Sequence, residues 1–468
     1  CCCSVADFFV VDETMTKAAE SRLTVAEKRR IATVTLDPYS AAPATQEHGM
    51  ADKKKTANND ISIDFLRELP KTDLHVHLDG SLRISTLIDL ATEYGVKLPS
   101  YTEAGLRELV FKDRYDSLGD YLHGFAYLCA VMQTEVGLER AGYEFAQDNQ
   151  EEGVRYLEVR FAPQLHVHEH MTAIMVLKAV NRGLKRAADE FNARPAVLSG
   201  AEPPFKYGII VSAMRKFTAG FSEYFSNFVS AHKYAPPKSI YPLASLELAR
   251  AAVLARDEFG LPVVGFDLAG EEAGYPAEDH RAAFGYVHKH FMNKTVHAGE
   301  AYGPESIFQA VTDLHADRIG HGTYLLDPTA VSASSGIEDP VDYVARLGEF
   351  VADRRITLEI CLTSNLQTNP DMVSMDQHSF RALRQARVST TICTDNRTVS
   401  NTTVTKELAL AVKHFGMDRR DLKSIVIYGF KRSFYAGTYL EKRKYVRQVI
   451  DYYDQIERKH FGEVTQQS

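Results

Sequence analysis

The chain has 468 residues, with 54 Lys and Arg against 62 Asp and Glu and a formal net charge of -8. That balance offers no basic patch or stripe for nucleic acid, and no run approaches the ~18 apolar residues that a membrane-spanning helix needs. At 45% hydrophobic and 25% charged, the composition is that of a globular protein able to bury a large core, built as about three average domains or as one large α/β domain with insertions.

Taken from its start, residues 1–60 mix charges, Thr, Ala and Pro around the short apolar run Phe8-Phe9-Val10-Val11. A secretory signal would show a basic start and about 7–15 consecutive apolar residues. The stretch is expected to be a disordered extension. Met50, which opens Met50-Ala51-Asp52-Lys53-Lys54-Lys55, is expected to be the natural start, with a lipid-modified Cys1 as the rival reading. Cys1, Cys2 and Cys3 cluster at the terminus, while Cys129, Cys361 and Cys393 are scattered and form no CxxC pair. This argues against a disulfide scaffold or a cysteine-rich zinc module and for a reduced, cytoplasmic protein.

Residues 61–468 read as one domain of alternating β-like and amphipathic stretches. The β-like runs are Thr72–His77, Val154–Phe161, Tyr207–Ala213, Pro262–Leu268, Lys294–His297, Asp317–Gly320, Ile356–Cys361 and Ser389–Thr394. Between them lie apolar residues at helical spacing, such as Leu246, Ala249, Ala252 and Val253, or Tyr343, Leu347, Phe350 and Val351. Strand and helix repeated eight times predict a (β/α)8 TIM barrel with helical insertions. A doubly wound open sheet is the alternative, but the glycine-rich phosphate turn expected after its first strand is missing.

Functional groups of such a barrel sit where its strands finish. Those ends read His75-Val76-His77-Leu78-Asp79, Asp267-Leu268-Ala269-Gly270, His297-Ala298-Gly299-Glu300, Gly320-His321-Gly322 and Thr394-Asp395-Asn396. Alternation along a strand puts His75 and His77 on one face, and His297 and Asp395 arrive from two other strands. Three imidazoles and one carboxylate form a donor set for Zn²⁺ with a position left for water. A single histidine at a strand end is more often a hydrogen-bonded structural residue. What carries the metal reading is the coincidence of four such groups at three strand ends, with Glu300 and His321 close by. The fourth strand end holds no lysine to bridge two metals, so one ion is expected.

Three other features receive plainer readings. His166-Val167-His168-Glu169-His170 has metal-like spacing but is expected to be a solvated loop. His123 is expected to pack on an apolar helix, and Glu271 and Glu272 to form a solvated helix start. The strand-end cluster, by contrast, has a definite chemistry. Zinc lowers the pKa of bound water from about 15.7 toward 7. Glu300 can exchange a proton with a substrate, and His321 can orient or deprotonate the water. This is machinery for hydrolytic attack at an sp² carbon, as in an amidine or amide.

Leu69-Pro70-Lys71-Thr72-Asp73-Leu74-His75-Val76-His77-Leu78-Asp79-Gly80-Ser81 resembles the opening motif of the adenosine deaminase family. Thr295-Val296-His297-Ala298-Gly299-Glu300, Arg318-Ile319-Gly320-His321-Gly322 and Leu358-Glu359-Ile360-Cys361 resemble further family segments in the same order. The resemblance spans about residues 61–468 and implies a zinc-dependent (β/α)8 aminohydrolase. It implies His75, His77, His297 and Asp395 as zinc ligands and Glu300 as the acid that protonates the purine ring nitrogen beside the attacked carbon. His321 would position and deprotonate the water, and Asp395 would also accept a hydrogen bond from the hydroxide. Gly270 would contact the purine through its backbone, and Asp79 would receive the ribose 5′-hydroxyl.

One departure from the family pattern is Asn396, where a second aspartate is common. An amide donates to a ring nitrogen without needing a raised pKa, so Asn396 is expected to preserve purine binding with weaker pH dependence. The implied partner is a small-molecule aminopurine nucleoside, with no nucleic acid or membrane, and the oligomeric state is left open. Adenosine and 2′-deoxyadenosine lead, because Asp79 would repel the 5′-phosphate of AMP. Adenine, N6-modified adenines, 6-aminodeoxyfutalosine and, with a neighbouring Lys or Arg to offset Asp79, AMP are alternatives, as is an amidohydrolase acting on a non-purine ring. A catalytically silent adenosine binder would be expected to lack one of the six groups, and all are present. Phe111, Leu118, Tyr121, Leu122 and Phe125 are read equally as a lid or as core.

Overall fold

The computed structural model describes residues 61–115 and 118–462. The expected extension over residues 1–60, with Met50 and Cys1, lies outside the described residues.

Eight strands follow in chain order: β1 Lys71–His77, β2 Val154–Phe161, β3 Lys206–Met214, β4 Val263–Ala269, β5 Asn293–Ala298, β6 Arg318–His321, β7 Thr357–Ile360 and β8 Thr390–Ile392. Each pairs in parallel with its neighbour in sequence. The barrel closes where Val76 bridges Asp395. There His77 N donates to Asp395 O at 2.7 Å and Asp395 N to His75 O at 2.8 Å. Helices cover the outside of the sheet and side chains fill its inside, so the strands are buried on both faces; β2 and β4 are buried throughout. The fold is the (β/α)8 barrel that the alternation predicts.

The helices cover the outside through apolar stripes. On Pro237–Asp257, Ala249, Ala252 and Val253 face the core, and on Pro340–Asp353, Leu347 and Val351 do. Helices Glu135–Glu151 and Ala173–Asn192 approach closely because Gly183 has no side chain: a Cβ there would stand 2.0 Å from the Glu139 carbonyl oxygen.

Between β1 and β2 the chain makes four helices, Ile84–Tyr94, Glu103–Leu109, Leu118–Val131 and Glu135–Glu151. This insertion crosses the C-terminal mouth of the barrel. Tyr115 Oη donates to Val399 O at 3.2 Å, and Tyr121 Oη meets Ser400 Oγ at 3.1 Å, so the insertion docks on the loop after β8. Among the described residues no helix is long and apolar enough to cross a membrane. Cys129, Cys361 and Cys393 are buried free thiols.

Candidate active site at the C-terminal ends of the strands

β1 delivers His75 and His77, β5 delivers His297, β6 ends on His321, and Asp395 follows β8. Ligand atoms of His75, His297, His321 and Asp395 all lie within 4.8 Å of one another. His77 joins them with Nε2 3.1 Å from His297 Nε2 and 3.5 Å from Asp395 Oδ1. His321, expected beside the four donors rather than among them, joins His75, His77, His297 and Asp395 in one group of five. His321 and Asp395 hold φ of 65° and 61°, a left-handed conformation that costs a non-glycine residue about 1–3 kcal/mol. It turns the chain away from the strand while both side chains stay at the cluster.

A buried charge network sets the rings. Glu359 on β7 accepts from His75 Nδ1 at 2.8 Å, Arg160 Nη2 at 2.8 Å, Arg318 Nε at 2.6 Å and Thr295 Oγ1 at 3.1 Å. Burial alone would raise the Glu359 carboxyl, but the two guanidiniums hold it well below the usual carboxylate range. His75 must therefore donate through Nδ1 and leave Nε2 bare. His297 Nδ1 sits between Asp267 Oδ1 at 3.1 Å and Leu268 O at 3.2 Å, which fixes the same tautomer.

These restraints test whether a metal fits. His75 Nε2 is buried without a hydrogen-bond partner and lies 3.4 Å from Asp395 Oδ1. A bare imidazole lone pair facing a carboxylate oxygen is an acceptor–acceptor contact that a cation between them satisfies. Outward nitrogens held by carboxylates are also how metal-ligating histidines are oriented. The donors fit one ion.

Glu300 stands beside the cluster, its Oε2 3.5 Å from His321 Nε2 and its Oε1 receiving Thr368 Oγ1 at 3.4 Å. Burial, with the charge of Asp395 adding to it, pushes its carboxyl up to about 8. Its backbone is held by Glu272, a correction to the sequence reading. No helix begins at Glu271 and Glu272. Glu271 pairs with Lys216 at 2.7 Å, whereas Glu272 is buried. It accepts the N–H groups of Gly299 (2.7 Å), Glu300 (3.0 Å), Ala301 (2.7 Å) and Tyr302 (3.0 Å). Four consecutive amides past a strand end need an acceptor. That need was the available signal, and the sequence did not say which carboxylate would meet it.

Asp79 is buried with Oδ1 unpartnered, and burial raises its carboxyl to about 7. Gly270 directly follows β4 at φ 98°. The Asn396 amide donor is engaged: Nδ2 donates to Tyr121 Oη at 2.7 Å, and Oδ1 fills the space a side chain on Gly80 would need. Tyr121 and Phe111 are buried and Phe125 is half-buried; Tyr121 thus reaches the site from the insertion. The side chains of Leu118, Leu122 and His123 lie outside the described residues.

The expected solvated loop needs correcting at its first histidine. His166 is fully buried beside Gln133, His168 Nε2 bonds Gln133 O at 3.1 Å, and Glu169 and His170 are exposed. The turn is tied down because Met171 packs into the core and pairs its backbone with His168. Among the described residues no second cluster of three metal-binding groups occurs.

A closed parallel barrel with an imidazole–carboxylate cluster at its strand ends defines a hydrolase of the metal-site (β/α)8 class. The chain belongs to the adenosine deaminase family: the family model described as adenosine deaminase matches residues 70–452. It is similar to the adenosine deaminase of Mycobacterium marinum, 35% identical over 378 residues, covering 80% of this chain and 93% of that one. It is likewise similar to adenosine deaminase 1 of Streptomyces coelicolor, 36% identical over 375 residues, covering 80% and 84%. Among solved structures it resembles the Arabidopsis ADAL protein complexed with IMP (TM-score 0.63, 25% identity, covering 85% and 99%). It shares its fold with an amidohydrolase of Burkholderia ambifaria solved with bound Zn (TM-score 0.66, 18% identity, covering 86% and 95%).

Proposed function

We propose that this protein is a zinc-dependent deaminase converting adenosine and 2′-deoxyadenosine to inosine and 2′-deoxyinosine with release of ammonia. The observation that carries the reading is the convergence of five metal-capable groups beside a carboxyl raised to about 8 by burial. In this reading His75, His77, His297 and Asp395 hold one Zn²⁺, and residues 61–468 form the single deaminase domain behind an extension over 1–60. When bound, Zn²⁺ supplies a Lewis acid that lowers the pKa of water toward 7.

The remaining work falls to side chains of this chain. Glu300 gives its proton to ring nitrogen N1, which makes C6 more electrophilic. His321 orients the water, and Asp395 accepts a hydrogen bond from it. Oxygen bonds to C6 as the water gives up its two protons, one passing to the exocyclic amino group and one returning to Glu300; the exocyclic C–N bond then breaks and ammonia leaves. Gly270 offers its backbone to the purine and Asp79 takes the ribose 5′-hydroxyl. Asn396 turns its amide donor from Tyr121 to the imidazole-ring nitrogen.

A different 6-aminopurine is the second reading, favoured by the resemblance to a protein that binds IMP. Initial rates on adenosine, 2′-deoxyadenosine, AMP, N6-methyl-AMP, adenine, 6-aminodeoxyfutalosine and cytosine decide between them. We expect kcat/KM for the two nucleosides to exceed the others at least tenfold; a higher value for a 5′-monophosphate would move the assignment to nucleotides.

A further inference from the structure

Behind His321 runs a hydrogen-bond chain with one end fixed by the backbone. Helix Phe380–Gln385 begins at Phe380, whose amide is one of the first-turn N–H groups that no helical carbonyl can satisfy. It donates to His378 Nδ1 at 3.0 Å. A backbone N–H cannot accept, so Nδ1 carries no proton. His378 is buried and its ring is held down to about 4 by that burial, which leaves it neutral with its one proton on Nε2. That nitrogen stands 3.1 Å from Asn365 Oδ1. The amide then presents Nδ2 to His321 Nδ1 at 3.0 Å.

Every direction in the chain follows from the first. If His378 Nε2 donates, the Asn365 atom facing it is the oxygen, and the atom facing His321 is the NH₂ group. His321 Nδ1 therefore accepts, and a neutral His321 keeps its proton on Nε2, the nitrogen that lies 3.5 Å from Glu300.

We propose that Asn365 and His378 are positioning residues that hold His321 as its Nε2–H tautomer, so that His321 donates a hydrogen bond in the site and neither ligates a metal nor removes a proton. This separates two roles that proximity leaves mixed, since His321 lies in the compact donor group together with His75, His297 and Asp395. A bare Nε2 would be a ligand; an Nε2–H is not. The fourth donor position then falls to His77, whose Nε2 is already 3.1 Å from His297 Nε2. Of the two parts open to His321 from the sequence, orienting the water or deprotonating it, the chain selects orienting.

The catalytic consequence rests on the deaminase reading, but the tautomer does not, and the test separates them. Full-length protein labelled with ¹⁵N-histidine is studied by long-range ¹H–¹⁵N correlation, with His321→Gln used to assign the His321 signals. We expect Nε2 protonated and Nδ1 bare in the unmodified protein, with or without added Zn²⁺. In Asn365→Asp, which accepts from both sides, the His321 proton moves to Nδ1. His378→Ala lowers kcat on adenosine about 10²-fold, the size of effect that a misplaced group in the site can have, with KM and zinc content unchanged. His378→Gln, whose amide N–H can replace Nε2–H, restores most of the loss. A His321 signal with Nδ1 protonated in the unmodified protein overturns the proposal, as does an unchanged His321 pattern in Asn365→Asp. Correct tautomers in a protein inactive on every aminopurine would instead sink the deaminase reading and leave the hydrogen-bond chain standing.

Discussion

Burial pushes the Glu300 carboxyl up to about 8, which favours its neutral form at pH 7 before a cation enters the cluster. In the proposed reaction the neutral form is the donor, so kcat/KM on adenosine should be level below that value and fall as pH rises through it. A divalent cation in the cluster draws the value down, which places the alkaline limb at or below about 8. Glu300→Gln removes the acid and keeps the shape; kcat should fall about 10²–10⁴-fold, and the alkaline limb should vanish from the pH–rate profile. A Glu300→Gln variant with near-normal kcat would assign the proton to another group. Asn396 invites the opposite exchange. Asn396→Asp must be protonated before it can donate to a ring nitrogen, so we expect adenosine turnover to change less than tenfold and to become more pH-dependent. A variant at least tenfold faster would mean that the unmodified protein serves a different substrate.

The loop Gly299–Tyr302 depends on a carboxylate from elsewhere, since Glu272 gathers four of its amides. Glu272→Ala leaves those amides without their acceptor and lets Glu300 drift. We expect kcat to fall about 10²-fold, the size of effect that a displacement near 1 Å can have, with bound zinc unchanged by elemental analysis. Loss of zinc together with kcat would show that the loop supports the ligands instead. On the outer layer, Gly183→Ala forces a Cβ onto the Glu139 carbonyl. Such overpacking costs about 1–3 kcal/mol, so Tm should drop while kcat per folded molecule stays the same.

These elements also show what a sequence discloses. Most of the eight strands were legible as Val/Ile-rich runs, while the short fifth and sixth were placed partly by the motifs they carry, and the ends lie within two residues of the expected ones. The eighth ends at Ile392 rather than Thr394 because Asp73 captures Thr394 Oγ1 at 2.5 Å and the chain turns at Asp395. His75, His77, His297, Glu300, His321 and Asp395 were legible as polar residues at strand ends, a position with its own pattern. Glu272, Asn365 and His378 were not, and Tyr121 stood only as one of five residues read equally as lid or core. Each is an ordinary residue type in a loop or helix, and its place at the site exists only through contacts that folding makes.

In the whole molecule the barrel and the buried charge network build one cluster whose donors fit a single ion. A ligand that binds only the folded chain stabilises it in proportion to its occupancy, about 2.7 kcal/mol at one hundred times its dissociation constant. Chelation should therefore lower Tm, and one equivalent of Zn²⁺ per chain should restore it. The most direct test of the central claim is ammonia release from adenosine by the purified protein before metal stripping, after it, and after Zn²⁺ is returned. We expect release that disappears on stripping and recovers at about one zinc per chain. Release that persists in protein shown by elemental analysis to be free of metal would contradict it, as would none from folded, zinc-loaded protein.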